Sequence, residues 1–128
     1  MKIYKTKAFQ RKFKKSGLSD PNLIASCRDM EKGLVSADYG GHLYKQRIAR
    51  EGQGKSGGYR TMIGAKLGDK YFFLYLFDKG SKGNIDEKEE VALKELAELY
   101  LNKTQDWLDE RLEDGQLIRV EVEPEERE

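Results

Sequence analysis

A chain of 128 residues has room for one modest hydrophobic core and too little apolar material for two, so a single domain is expected. Hydrophobic residues make up 38% and charged residues 37% of it, and no apolar run approaches the roughly 18 residues a membrane helix needs, which excludes a helical membrane protein. The net charge of +1 conceals a separation: residues 1–82 carry 18 Lys/Arg against 7 Asp/Glu, whereas residues 83–128 carry 6 against 16. A basic body with an acidic end points toward a polyanionic partner, because neutralising phosphates releases counterions and drives association. The acidic segment reads as solubilising surface, with competition for the basic face as the alternative.

The opening Met1-Lys2-Ile3-Tyr4-Lys5 lacks a continuous apolar run, so no secretory signal is expected. Cys27 is the only cysteine, which rules out an internal disulfide and suits a reducing cytoplasm. Cys27 reads as a small buried helix residue.

Ile3 to Lys5 begin a short strand, and Thr6 is a fitting N-cap for a helix over residues 7–15. Phe9 and Phe13 face its core side, while Lys7, Arg11, Lys12, Lys14 and Lys15 form a basic outer face. Ser19 or Asp20, with Pro21 in the first turn, opens a second helix through Lys32, with Leu23, Ile24, Cys27 and Met30 as its apolar stripe. Residues 36–43 read as a loop holding His42, the only histidine. It has the intrinsic pKa of a general acid or base but no local partner, and neither paired His nor paired Cys supports a metal.

Residues 44–50 alternate as a strand, with Lys45 and Arg47 on one face and Tyr44, Gln46, Ile48 and Arg50 on the other. Residues 58–67 form a second strand, with Arg60, Met62, Gly64 and Lys66 on one side and Tyr59, Thr61, Ile63 and Ala65 opposite. Leu67-Gly68-Asp69-Lys70 signals a hairpin turn, and Tyr71 to Phe77, apolar on both faces, reads as a central covered strand. This meander is expected to bring Lys45, Arg47, Arg60 and Lys79 together. Such a cationic cluster calls for an anion, and phosphate is the natural one.

Asn84 or Asp86 caps a helix over residues 87–101, whose acidic first turn suits the helix dipole. Thr104 caps a further helix through Asp114, Gly115 stops it, and residues 116–123 alternate as an edge strand. From Pro124 the tail is expected to be disordered.

Residues 49–56, AREGQGKS, satisfy a loosened phosphate-binding loop. The Lys-Ser end should then open a helix, but GGYRTMI follows and reads as a strand. A flexible hairpin loop with Lys55 as a phosphate contact fits better than a nucleotide triphosphatase.

The pieces YKQRIA, GKSGGYR with TMIGAK, and KYFFLYLFDKG before a helix resemble the toxins of the RelE/ParE superfamily, and its RelE-like branch most closely. The likeness covers about residues 2–101, the expected toxin core, with residues 102–128 as an extension of the same domain. It implies an α+β fold: a small domain with an antiparallel, meander-rich sheet, two N-terminal helices packed on it, and C-terminal helices. It further implies a cytoplasmic toxin of a type II toxin–antitoxin system that inhibits translation as a ribosome-dependent mRNA endoribonuclease, neutralised by a cognate helix-turn-helix antitoxin. No cofactor, metal or membrane is implied.

Carried over residue by residue, the catalytic set is Lys45, Arg47, Arg60 and Lys79, and the RNA contacts are Arg50, Lys55, Tyr59 and Lys82. RNA cleavage by 2′-hydroxyl attack needs a base, donors for an anionic phosphorane and an acid for the leaving 5′-oxygen. Arg47 and Arg60 suit the phosphorane, and Lys45 suits the base if nearby cations lower its pKa. Tyr59 or Tyr75 can stack a base. Related nucleases place a Tyr or His after the last core strand and often Asn-Glu-Arg after the cation matched by Lys79. Here residues 80–85 read GSKGNI, which leaves Lys79 or Lys82 as the acid. A ParE-like gyrase inhibitor without catalysis and an inactive basic module partnered with an antitoxin remain the alternatives.

Overall fold

A computed structural model describes residues 1–49, 58–80 and 82–122. The elements in chain order are β1 (Lys2–Thr6), α1 (Lys7–Phe13), α2 (Asp20–Glu31), β2 (Ala37–Asp38), β3 (Leu43–Ile48), β4 (Tyr59–Lys66), β5 (Lys70–Asp78), α3 (Glu87–Leu101), α4 (Gln105–Glu113) and β6 (Leu117–Val120). The strands form one sheet in the order β2-β3-β4-β5-β1-β6. The fold is α+β, and the meander from β3 to β5 is antiparallel as expected. β1 enters parallel to β5 and carries β6 antiparallel on its outer side, so the sheet as a whole is mixed.

Local chemistry sets the helix ends. The Thr6 hydroxyl accepts from Phe9 N at 3.1 Å, and Asn22 Oδ1 accepts from Ser19 N at 2.8 Å. Asp86 and Glu89 form a reciprocal capping box on α3, and Thr104 accepts from Trp107 N to start α4. Gly115 follows α4 at φ +83°, a conformation that spares glycine the Cβ clash. β2, only Ala37 and Asp38, occupies part of the stretch expected to be loop, paired with Tyr44 and Lys45. His42 sits beside it at φ +65°, and its carbonyl accepts from Ala65 N at 3.0 Å.

β5 is covered on both sides. Phe9, Phe13, Leu23, Cys27 and Met30 of α1 and α2 close over Ile63, Tyr71 and Phe73 on one face. Leu93, Ala97 and Leu101 of α3, with Leu108 of α4, close over Met62, Phe72 and Phe77 on the other. Stacked rings run through this second core, Tyr4 on Phe72 at 4.9 Å and Phe72 on Tyr100 at 5.2 Å. Burial of a side chain of this size stabilises by about 1.5–3 kcal/mol. The half-exposed Glu90–Lys94 pair on α3, at 2.9 Å, contributes about 0.3–0.5 kcal/mol. Packing, and not surface charge, therefore holds α3 on the sheet. Cys27 is fully buried and its burial pushes the thiol pKa up, away from any nucleophilic role.

Gly64 lets α3 approach β4 closely: a Cβ there would lie 2.7 Å from Ala97 Cβ and 3.0 Å from Ala97 Cα. In an open strand Gly64→Ala would be expected to stabilise by about 0.4–1 kcal/mol through the unfolded chain. Here the added methyl meets helix backbone, so we expect a loss of about 1–3 kcal/mol. Thermal or urea unfolding checks it, and a stabilised Gly64→Ala variant would show that α3 stands further from β4.

Candidate active site

Lys45 and Arg47 lie on β3 with the buried Gln46 between them, and the inward pull of Gln46 fixes which way they point. Its amide nitrogen donates to the carbonyls of Leu34 (3.0 Å) and Ser26 (3.3 Å), and its oxygen accepts from Ser36 N at 2.8 Å. Gln46 thus ties β3 to the middle of α2 and to the segment after that helix. By strand alternation Lys45 and Arg47 project to the opposite face, alongside Leu43, which packs in the core beneath α3. Sequence inspection did not single out Gln46; a polar residue on an inward strand position was the available signal.

The register then aligns the cations. Arg47 stands opposite Arg60, and Lys45 opposite Met62. On the next strand Arg60 stands opposite Phe77 and Met62 opposite Tyr75. Two cross-strand rows result on one sheet face, Arg47-Arg60-Phe77 and Lys45-Met62-Tyr75. Arg60 is 5% exposed, Lys45 is partly buried and Arg47 is exposed. Partial burial foremost, then the Arg47 and Arg60 guanidiniums, hold the Lys45 ammonium below the ordinary lysine pKa.

The remaining expected residues take different places. Lys79 is exposed in the turn directly after β5, two positions beyond Phe77. Lys82 is engaged, its ammonium donating to both Glu89 oxygens at 2.7 and 2.8 Å. This bond raises the Lys82 pKa and lowers that of Glu89. Tyr59 faces α1, where its hydroxyl donates to the Ser16 carbonyl at 3.1 Å. Arg50 and Lys55, with most of the phosphate-loop-like stretch, lie outside the described residues. The segment after that stretch is β4, a strand and not the helix a phosphate-binding loop requires. Among the described residues, no three His, Cys, Asp or Glu side chains come together as a metal site.

Tyr75 joins the cationic face through a bulge. Met62 pairs with Tyr75 and Ile63 with Phe73, so Leu74 is the extra residue. Strict alternation from Phe73 would have sent Tyr75 to the α1 and α2 side; the bulge turns it toward α3. Its hydroxyl donates to Glu89 at 3.2 Å, and burial, then Glu89, raise its pKa. Nothing local in FFLYLF marks the bulge.

Chemically, the face carries the exposed Arg47 guanidinium beside the nearly buried Arg60, an amine with depressed basicity at Lys45 and the partly buried Tyr75 ring. No helix among the described residues is long and apolar enough to cross a membrane. A search of curated proteins found no match to the chain. A family model described as the RelE toxin of the RelE/RelB toxin–antitoxin system matches residues 1–120, and with its sheet, its two helical layers and its cationic face the chain belongs to that RelE toxin family.

Proposed function

We propose that this toxin is a ribosome-dependent mRNA endoribonuclease that works in the cytoplasm and is neutralised by a helix-turn-helix antitoxin. The observation carrying the proposal is the convergence of Lys45, Arg47 and Arg60 on one sheet face in cross-strand register. Lys45 takes the proton from the ribose 2′-hydroxyl, since its depressed pKa leaves a larger neutral fraction near neutrality. The 2′-oxygen then bonds to phosphorus as the bond to the 5′-oxygen breaks, giving a 2′,3′-cyclic phosphate and a 5′-hydroxyl. Arg47 and Arg60 donate to the phosphorane oxygens, an interaction that strengthens as charge develops. Lys79, at the end of β5, protonates the leaving oxygen. Arg50, Lys55 and Lys82 act as RNA contacts, Lys82 once a phosphate replaces Glu89.

Lys45→Arg keeps the charge and removes the base, so we expect cleavage to fall by roughly 10²–10⁴-fold with binding to ribosomes retained. Arg60→Lys keeps the charge and removes the fork, with an expected loss of roughly 10²–10³-fold. Inducing each variant in bacteria and mapping mRNA 5′ ends reads both. Codon-phased cuts that persist at full strength in both variants would sink the assignment, and intact messages accompanied by DNA damage would indicate gyrase inhibition.

A pH profile tests the role of Lys45. Cleavage should rise with pH as the ammonium loses its proton and level off above its depressed pKa. Arg47→Ala removes one cation that lowers this pKa, so the rising limb should move to higher pH. A limb that stays in place, or moves to lower pH, assigns the base elsewhere.

A further inference from the structure

Packing on the sheet does not use the whole of α3. Leu93, Ala97 and Leu101 hold the helix down, while its outer side carries Val91, Leu96 and Leu99, exposed at 58%, 36% and 43%. At about 100° per residue these three and the exposed Ala92 fall on one side of the helix, over a length of about 12 Å. Helix propensity explains the leucines but not Val91, whose β-branched side chain loses χ1 freedom against the preceding turn. The other exposed large apolar residues among the described ones, Leu34 and Leu67, lie singly in connections, so α3 alone gathers them into a patch. This ridge runs into an open hollow of about 370 Å³ at the C-terminal end of the helix, lined by Glu95, Glu98, Leu99, Asn102 and Lys103.

Charge along the ridge is uneven. Glu87, Glu95 and Glu98 are exposed on its Val91 side, and no ion pair among the described residues engages them. Lys88 stands at the N-terminal end, and Lys103 at the other end leans on the Trp107 ring at 5.0 Å. The three carboxylates repel RNA and anionic lipid headgroups. A second copy seated by a two-fold axis through the ridge would set Glu95, midway between Val91 and Leu99, against its own mate. What complements the ridge is an amphipathic helix whose apolar residues recur at i, i+4 and i+7 beside Lys or Arg. The RelE/RelB toxin–antitoxin pairing supplies a partner protein, the antitoxin.

We infer that the outer side of α3 is the docking surface for a cationic amphipathic helix of the antitoxin. The apolar residues of that helix lie on Val91, Leu96 and Leu99, and its cations meet Glu87, Glu95 and Glu98. Because this side of α3 points away from the sheet, docking leaves Lys45, Arg47 and Arg60 uncovered by the helix. The inference rests on the antitoxin partnership proposed above and is independent of RNA cleavage.

The test titrates the full chain with its cognate antitoxin and follows fluorescence anisotropy. Val91→Lys with Leu99→Lys should weaken the complex roughly 30-fold or more, as expected when the centre of an interface is lost. Glu95→Lys with Glu98→Lys should weaken it roughly tenfold at low salt and flatten its salt dependence. Leu34→Glu, at an exposed leucine away from α3, should leave the affinity unchanged. All these positions are exposed, so each variant should keep the fold, which its thermal midpoint checks. Unchanged affinity in the Val91 and Leu99 double variant overturns the docking surface, and the absence of any complex overturns the partner with it. A chain that binds its antitoxin through α3 and never cuts messages would retain this surface and discard the nuclease.

Discussion

Arg47 and Arg60 are directly opposed on neighbouring antiparallel strands, and like charges so placed destabilise a sheet. The register that imposes this is set from beneath. Sliding β3 by one residue would turn Ile48 and Gln46 out and drive Lys45 and Arg47 toward α2. That would strip Gln46 of its three partners and bury two cations among Leu23, Cys27 and Met30. Burying charges without partners costs far more than a cross-strand repulsion open to solvent on one side. The core and the Gln46 clamp thus hold the cations together.

The neighbouring rows extend this reasoning to function. A surface of lysines alone would bind any polyanion, and its affinity would follow salt and little else. Here the exposed Arg47 stands in register with the 5% exposed Arg60, and a guanidinium offers its donors in a plane. Lys45 beside them experiences partial desolvation and two like charges, both favouring its neutral form. In the proposed mechanism the geometry that would hold phosphate is also the one that lowers the Lys45 pKa, and both trace to the register of β3 on β4.

Much of this was legible in the sequence because it depends on local rules. Alternation over residues 44–48 and 59–66 put Lys45, Arg47 and Arg60 on their faces, and Thr6, Asp86, Thr104 and Gly115 marked helix ends through backbone hydrogen bonding. What escaped depends on partners distant in the chain. The parallel entry of β1 beside β5 is settled by packing on both faces, and no residue in KIYKT announces its neighbour. The bulge at Leu74 is similar: FFLYLF is apolar at every position but the tyrosine, so either phase of alternation buries as much, and only cross-strand packing chooses. Its consequence is to place both Tyr75 and Phe77 on the sheet face of the cations.

The acidic half of the chain brings a carboxylate to the cationic face through α3. α3 lies across the sheet face that carries the cations, with Glu89 at its first turn holding both Lys82 and the Tyr75 hydroxyl. Each group is drawn toward its charged form by the other, Lys82 upward and Glu89 downward in pKa, so the pair persists through neutral pH. A pair this open to water is weak and salt-sensitive. Glu89 does not need Lys82, since it keeps Asp86 N through the capping box when the lysine leaves. If Lys82 engages phosphate as proposed, α3 keeps its cap and Tyr75 keeps its acceptor. Under the proposed function the acidic helix would hold the place of the ligand's charge, giving up Lys82 without losing its own cap.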